Sequence, residues 1–410
     1  MSFTLRLVIV ALLSFVIQFY FISGITGSLK TAFPVINRKR LKMVVWSALV
    51  FANLYLIIAL FYLIYNQFSV SRAVFPPPLK SFDYIIQFPF WIYILIVVQS
   101  ILFFAIVDVF RFILILFSKK LNSKLKFHFA AARLIIALLF IIYVPIRTFY
   151  DYSTVSTRIV EYKKEGLPER LHNFKIVLIS DVQADRYTDE IRLSRYIEAV
   201  NNTNPDLVLI AGDVITSTPD YINVAAEQLG KIQSKYGVYS CVGDHDNWAY
   251  RQDTERSLRE IKAALISRNV RMIDNEKLIL PVDSSRIGIT FITNTYVERI
   301  EREIIDSLTN HLNGEDLRIF LTHQPRDFLI EQAGDSNYDL FFAGHTHGGQ
   351  LTFFFPFINL TPTLIETRYV KGDFHIGDML AIVNRGLGMS LAPIRYNSTP
   401  EITLIVLNGR

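Results

Sequence analysis

The apolar positions of this chain follow two different patterns. Up to residue 150 they form unbroken runs, roughly 5–22, 43–65, 90–117 and 129–149. Each run holds the ~18–25 residues a helix needs to cross ~30 Å of hydrocarbon at 1.5 Å per residue. Four transmembrane helices are therefore expected. Beyond residue 171 the apolar runs shrink to strand length and recur at 175–179, 207–211, 238–242, 287–293, 318–322, 340–343, 379–383 and 402–407. Between them lie stretches of helical periodicity, clearest at 191–201, 222–234 and 254–266. Alternating strands and helices predict an α/β domain with helices packed outside sheet. Residues 151–171 are polar and irregular, with Gly166-Leu167-Pro168 near their end, and read as a linker. The expected organisation is a membrane anchor over 1–150, the linker, and an α/β domain over 172–410.

Charge sharpens this division. The first 150 residues carry 15 Lys and Arg against two acids, Asp83 and Asp108, whereas the other 260 carry 27 against 35. The overall +5 is thus no mark of a nucleic-acid binder, because the basic excess belongs to the apolar half. Lys30, Arg38, Lys39, Arg40 and Lys42 crowd the first connection, and Lys119, Lys120, Lys124 and Lys126 the third; the second has Arg72 and Lys80 against Asp83. Positive connections face the cytoplasm. With four crossings, everything after residue 150 is then extracytoplasmic, on a multi-pass membrane protein. Asp108 and Arg111 lie three apart and read as a pair at the membrane interface. The single cysteine, Cys241, sits within a strand and reads as a small apolar core side chain.

The strand ends carry the chemistry. They run into Ser180-Asp181-Val182-Gln183, Gly212-Asp213, Gly243-Asp244-His245-Asp246, Thr322-His323 and Gly344-His345-Thr346-His347-Gly348-Gly349. One Asp in a turn is ordinary, but five of the first six strand ends, each with an Asp, a His or both, are not. Ligands at the carboxyl ends of strands converge on one crevice. Carboxylate and imidazole together suit Mn, Fe or Zn rather than calcium, and two such ions are a known device for displacement at phosphorus.

On these residues the chain resembles the calcineurin-like metallophosphoesterases, whose pattern runs D-x-H, G-D, G-N-H-[DE], H, G-H-x-H. The extended Gly344–Gln350 motif, with Asn384-Arg385-Gly386-Leu387-Gly388 and Pro393-Ile394-Arg395, is similar to a bacterial membrane-associated branch that includes UDP-2,3-diacylglucosamine hydrolases. The resemblance covers about residues 172–407. It implies a four-layer αββα sandwich and a phosphoric ester hydrolase, a phosphodiesterase before a monoesterase, using two divalent ions. Asp181, Gln183, Asp213 and His347 would hold the first ion; Asp213, Asp244, His323 and His345 would hold the second. His245 would protonate the leaving oxygen, with Asp246 beside it in the motif. Arg186, Asn384, Arg385 and Arg395 stand where substrate contacts are expected.

Two positions depart from the family pattern. Gln183 replaces a His, which weakens the site for Zn or Fe and favours Mn or Mg. Asp244 replaces an Asn, adding a negative charge near the second ion. The expected activity is hydrolysis of a phosphodiester or pyrophosphate on a lipid-linked small molecule, with no nucleic-acid partner. The rival is a non-catalytic sensor or scaffold that binds a phosphorylated ligand. The aromatic run 351–357 reads either as core or as a lip that enters the bilayer.

Overall fold

The computed structural model describes residues 3–68, 77, 79–309 and 314–409 and divides into two compact units. One comprises Met1–Phe149 with Phe353–Leu360; the other comprises Tyr150–Thr352 and Thr361–Arg410.

The first unit holds α1 (Phe3–Ala32), α2 (Arg38–Ala52), α3 (Leu54–Phe68), and α4 (Lys80–Phe82). The last of these passes through a π-helical turn, Asp83–Gln87, into α5 (Phe88–Phe117); α6 (Lys119–Ser153) follows. Ala11–Ala32, Lys80–Phe117 and Lys119–Ser153 are each long and apolar enough to cross a membrane. The expected second span is instead the pair α2 and α3, bent by 47°, so there are three candidate spans, or four if the bent pair crosses as one. The break has a chemical cause. Asn53, between the two helices, donates from Nδ2 to the Leu49 carbonyl (2.8 Å) and to Gln18 Oε1 (2.7 Å), while Gln18 Nε2 donates back to Asn53 Oδ1 (3.1 Å). A side-chain donor on the carbonyl four residues back competes with the helical ladder and bends it. The expected Asp108–Arg111 pair does not form. Asp108 takes Arg133 of α6 and the Tyr20 hydroxyl, and Arg111 donates to Asn122 Oδ1 at 3.1 Å. Donors on facing helices reach the carboxylate in place of its neighbour on the same helix. Arg72 lies outside the described residues.

The second unit contains β1 (Ser156–Lys164), β2 (Lys175–Ile179), β3 (Leu207–Ile210), β4 (Val238–Ser240), β5 (Val270–Met272), β6 (Glu276–Val282), β7 (Ser285–Ile292), β8 (Leu317–Thr322) and β9 (Leu340–Ala343). After the hairpin β10 (Phe353–Phe355) and β11 (Ile358–Leu360) come β12 (Gly372–Ile376), β13 (Met379–Val383) and β14 (Glu401–Gly409). They build two mixed six-stranded sheets, ordered β1-β14-β2-β3-β4-β5 and β12-β13-β9-β8-β7-β6. The helices are α7 (Glu190–Asn201), α8 (Ile222–Leu229), α9 (Thr254–Ile266), α10 (Arg302–Thr309) and α11 (Asp327–Asp335). Period-two burial explains the arrangement. Ile176 and Leu178 of β2 pack with Ile289, Ile319 and Phe342 of the other sheet. Val177 and Ile179, on the opposite face of β2, pack with Leu193, Ala225 and Ile261 of α7, α8 and α9. In the second sheet, Phe320 and Phe341 turn to Ile305 and Leu329 of α10 and α11.

The linker expected over 151–171 is corrected. The last turn of α6 belongs to this unit: Thr399 donates to Asp151 Oδ1 (2.6 Å), and Arg192 donates to the Tyr152 carbonyl (2.8 Å) and lies over its ring. After two residues the chain enters β1, which pairs in parallel with β14 from Ser156↔Glu401 to Lys164↔Gly409. Only Val160 and Tyr162 of β1 are buried; Arg158, on their face, is half-buried and pairs with Asp373 and Glu401, while Thr157, Ile159, Glu161 and Lys163 face solvent. A polar edge strand resists edge-to-edge association and lacks an apolar run.

The aromatic run 351–357 divides. Phe354, in the hairpin, packs against Phe103, Phe140 and Tyr143 of the helical unit, with ring centroids 5.6–5.7 Å apart. Gln99, fully buried on α5, donates to the Phe354 carbonyl (2.7 Å) and accepts from its N–H (3.2 Å), so one side-chain amide pairs both free groups on that edge of β10. Phe357 at the tip is exposed.

Candidate metal centre

The loops leaving β2, β3, β4, β8 and β9 bring the expected ligands together. Five of them, Asp181, Gln183, Asp213, His345 and His347, have positive φ (47°, 50°, 57°, 71° and 49°). Such conformations cost non-glycine residues about 1–3 kcal/mol each and persist where the surroundings over-determine them. Glycines make the crowding possible. A Cβ on Gly243 would sit 2.2 Å from Asp213 N and Oδ1, and one on Gly344 would sit 2.4 Å from Ser180 Cβ.

Two overlapping ligand groups result, Asp244–His323–His345 and Asp181–Asp213–His323, each with ligand atoms within 4.8 Å of one another. His323 joins them: its Nε2 lies 3.3 Å from Asp213 Oδ2 and 3.4 Å from Asp244 Oδ2, and its Nδ1 donates to the Ala211 carbonyl at 2.7 Å. His345 Nδ1 lies 2.9 Å from Asp244 Oδ2. His347 Nε2 is 3.5 Å from Asp181 Oδ1. Burial would raise the Asp213 carboxyl, but the imidazoles of His323 and His245 hold it below the usual range. Burial would depress His323, yet Asp213 and Asp244 hold it well above its ordinary value.

These donors fit divalent cations. Three carboxylates, each at most 2% exposed, are crowded together and call for positive charge. Gln183 donates its amide to Asp213 Oδ2 (2.7 Å), and its Oε1 is buried without a hydrogen-bond partner among the described residues, an oxygen left free for a cation. Asp244, the other departure, is offset locally. Its Oδ1 accepts from Tyr296 N (2.7 Å), and the Gln324 amide donates to both carboxylate oxygens (2.9 and 2.8 Å).

His245 is half-buried beside these groups. Its N–H donates to Asp213 Oδ1 (2.8 Å) and its Nδ1 to the Thr216 carbonyl, which can only accept; Nε2 lies 3.2 Å from Ser390 Oγ. Asp246, expected beside it, does not touch the imidazole. Its carboxylate accepts from Gly243 N (2.8 Å), Val214 N (2.8 Å) and Asp213 N (3.1 Å), clamping two ligand loops together. Burial and the neighbouring Asp213 push its carboxyl up to about 6.

The residues expected to touch substrate are mostly committed elsewhere. Arg395 is buried, and its guanidinium donates to the carbonyls of Gly388, His347, Arg385 and Ser398. Asn384 is equally buried, bridging Leu178, Ser180, Gly386 and Glu401. Arg385 pairs with Glu401 Oε2 at 3.1 Å, and Arg186 lies over the ring of Tyr187. Close beside the ligands are residues the motif reading missed. Glu366 Oε1 lies 3.2 Å from His345 Nε2, accepts from the Tyr296 hydroxyl and pairs with Arg326 at 2.7 Å. None of Tyr296, Gln324, Arg326 or Glu366 carries a local sequence signature; only the preceding His323 hints at Gln324.

The sequence profile of the Calcineurin-like phosphoesterase family matches residues 174–349. A Bacillus subtilis metallophosphoesterase, YkuE, is 30% identical over 251 residues, covering 60% of this chain and 83% of that protein. The chain belongs to the calcineurin-like metallophosphoesterases. Another metallophosphoesterase, Cj0846 of Campylobacter jejuni, is 28% identical over 281 residues, covering 68% of this chain and 69% of the relative. The transmembrane protein with metallophosphoesterase domain of Bos taurus is 28% identical over 264 residues, 61% of this chain and 56% of that protein. In this metallophosphoesterase, candidate ligands for a dinuclear site thus accompany apolar helices long enough to span a membrane.

Proposed function

We propose that this protein is a membrane-anchored phosphodiesterase or pyrophosphatase acting on a lipid-linked substrate. The observation that carries the proposal is the pair of buried ligand groups sharing His323, with the orphan Oε1 of Gln183 beside them. Asp181, Gln183, Asp213 and His347 would hold one ion, and Asp213, Asp244, His323 and His345 the other, within the αββα layering of the family. When bound, such a pair neutralises phosphate charge and makes hydroxide available near neutral pH.

The chain's own residues handle the proton. With Nδ1–H committed to the Thr216 carbonyl, His245 in its imidazolium form carries its mobile proton on Nε2. That proton passes to the departing oxygen, and Ser390 Oγ steadies the ring from the same side. Asp246 acts through the backbone, fixing the loops of Asp213 and Asp244 in register.

Exposed aliphatic side chains support a lipid substrate. Ile365 (94% exposed) precedes Glu366, and Leu391 (100% exposed, φ 62°) follows Ser390, so both adjoin residues that touch site imidazoles. Large apolar groups held in water beside a polar site suit a lipid interface. Both Lys/Arg-rich connections can be cytoplasmic only if the bent pair α2–α3 crosses, which favours four spans and an extracytoplasmic domain.

The test is hydrolysis by the full chain, in mild detergent with manganese, of bis-p-nitrophenyl phosphate, p-nitrophenyl phosphate and CDP-diacylglycerol vesicles. Diester turnover above monoester, with nucleotide released from the vesicles, is expected. Turnover confined to the soluble monoester would overturn both the ester class and the lipid substrate.

A further inference from the structure

Beside the ligands assigned to the second ion lies a cavity of about 570 Å³ that no ligand, proton carrier or loop clamp described above requires. That is within the ~300–1,000 Å³ of small-molecule sites. Its wall includes Tyr296, Arg299, Arg302, Gln324, Arg326 and Glu366. Three of these tie it to the metal centre: Tyr296 N and the Gln324 amide bind Asp244, and Glu366 lies against His345 Nε2. The cavity is therefore walled by the groups that directly support Asp244 and His345.

Its charge is positive. Arg326 is already occupied, donating from Nη2 to Glu366 Oε1 (2.7 Å) and from Nε to Gln324 Oε1 (2.9 Å). That arrangement also fixes Glu366, whose carboxyl is drawn down to about 2, first by its hydrogen bond to His345. Arg299 and Arg302 are different: among the described residues neither makes an ion pair or hydrogen bond. Both are exposed, yet both line the cavity. Two uncommitted guanidiniums at the edge of a phosphoester site suit a second anion, which they can grip bidentately. Arg395, expected from the motif to meet substrate, cannot supply this grip, since its guanidinium is spent on main-chain carbonyls.

We propose that this cavity, through Arg299 and Arg302, binds a second phosphate-like anionic group on the same substrate molecule that presents its phosphoester to the metal centre. The inference rests on the hydrolase reading and narrows its substrate class to molecules with two anionic centres, such as a pyrophosphate or a phosphodiester bearing a further phosphate.

A matched pair of esters tests it: thymidine 5′-(p-nitrophenyl phosphate) and its 3′-phosphorylated analogue share leaving group and scissile bond and differ by one phosphate. With the full chain and manganese, kcat/KM for the 3′-phosphorylated ester should exceed that for the other by roughly tenfold, mainly through KM. The R299A/R302A chain should bring this ratio close to one, R299K/R302K should restore part of it, and added salt should shrink it in the wild type. A ratio near one in the wild type, or one that R299A/R302A leaves unchanged, would overturn the inference while leaving the hydrolase standing. If sulfate altered both esters alike in the wild type but not in R299A/R302A, the cavity would be a free-anion site and the proposal wrong. Turnover of neither ester would remove the hydrolase reading, and the inference with it.

Discussion

Replacing Arg395 by Met separates a residue that holds the site from one that touches substrate. The guanidinium is 1% exposed and donates to four main-chain carbonyls: Gly388 at 2.9 Å from Nε, and His347, Arg385 and Ser398 at 3.2, 3.0 and 3.1 Å from Nη1. Met fills similar volume with no donor. Hydrogen bonds from a charged donor contribute about 1.5–3 kcal/mol each, so losing four costs roughly 6–12 kcal/mol. Against this, burial pushes the guanidinium down to about 10, which places a penalty of about 3 kcal/mol on the charged form that Met removes. The balance is a destabilisation of roughly 3–9 kcal/mol, comparable with the whole stability of many domains. The assay is urea-dependent alkylation of the buried Cys241, read by mass spectrometry on the full chain in detergent. The R395M transition should move to much lower urea, with His347 and its neighbours losing exchange protection together. An unchanged midpoint accompanied only by a raised KM would refute this reasoning and return Arg395 to the substrate.

Further expectations follow from particular atoms. Cys241 is fully buried and burial raises its thiol far above the ordinary value, so iodoacetamide at pH 8 should leave it unmodified in the native chain and label it fully in denaturant; rapid native labelling would contradict the packing of the segment that follows β4. Gln183→His should move the best-supporting metal from Mn or Mg toward Zn or Fe, measured as activity after chelation and reloading with each ion; an unchanged order would remove Gln183 from the ligands. Gln99→Leu leaves the Phe354 N–H and carbonyl without their partner, costing about 2 kcal/mol or more and raising hydrogen exchange at Phe354 above that of β13; unchanged exchange would show that the hairpin is held by its aromatic contacts alone.

The parts legible from residue patterns are those where burial and chemistry repeat. The strands β2, β8, β9 and β13 are buried runs of Val, Ile, Leu and Phe, and their limits fall within a residue of expectation. The ligand turns were equally plain, because Asp and His recur at the ends of β2, β3, β4, β8 and β9, where sheet topology gathers the loops. What escaped lacks such repetition. β1 is a polar edge strand whose partner is 245 residues away, so no local pattern marks it. The break at Asn53 depends on an amide pair with Gln18, and that is invisible without the neighbouring helix. Two expected site residues are turned elsewhere for one reason. Asp246 and Arg395 sit inside motifs, but the direction of their side chains is set by tertiary packing, which turns both toward main-chain groups.

The most direct test of the central claim counts ions and turnover together. The full chain in detergent, stripped with chelator and reloaded with manganese, should retain two ions per chain and hydrolyse bis-p-nitrophenyl phosphate only when loaded. Asp213→Asn should lose an ion and nearly all turnover, and His245→Ala should keep both ions while losing most of kcat. A folded chain that retains two ions yet hydrolyses nothing would contradict the account and identify a phosphate-binding protein. Turnover undiminished in Asp213→Asn would place the chemistry elsewhere.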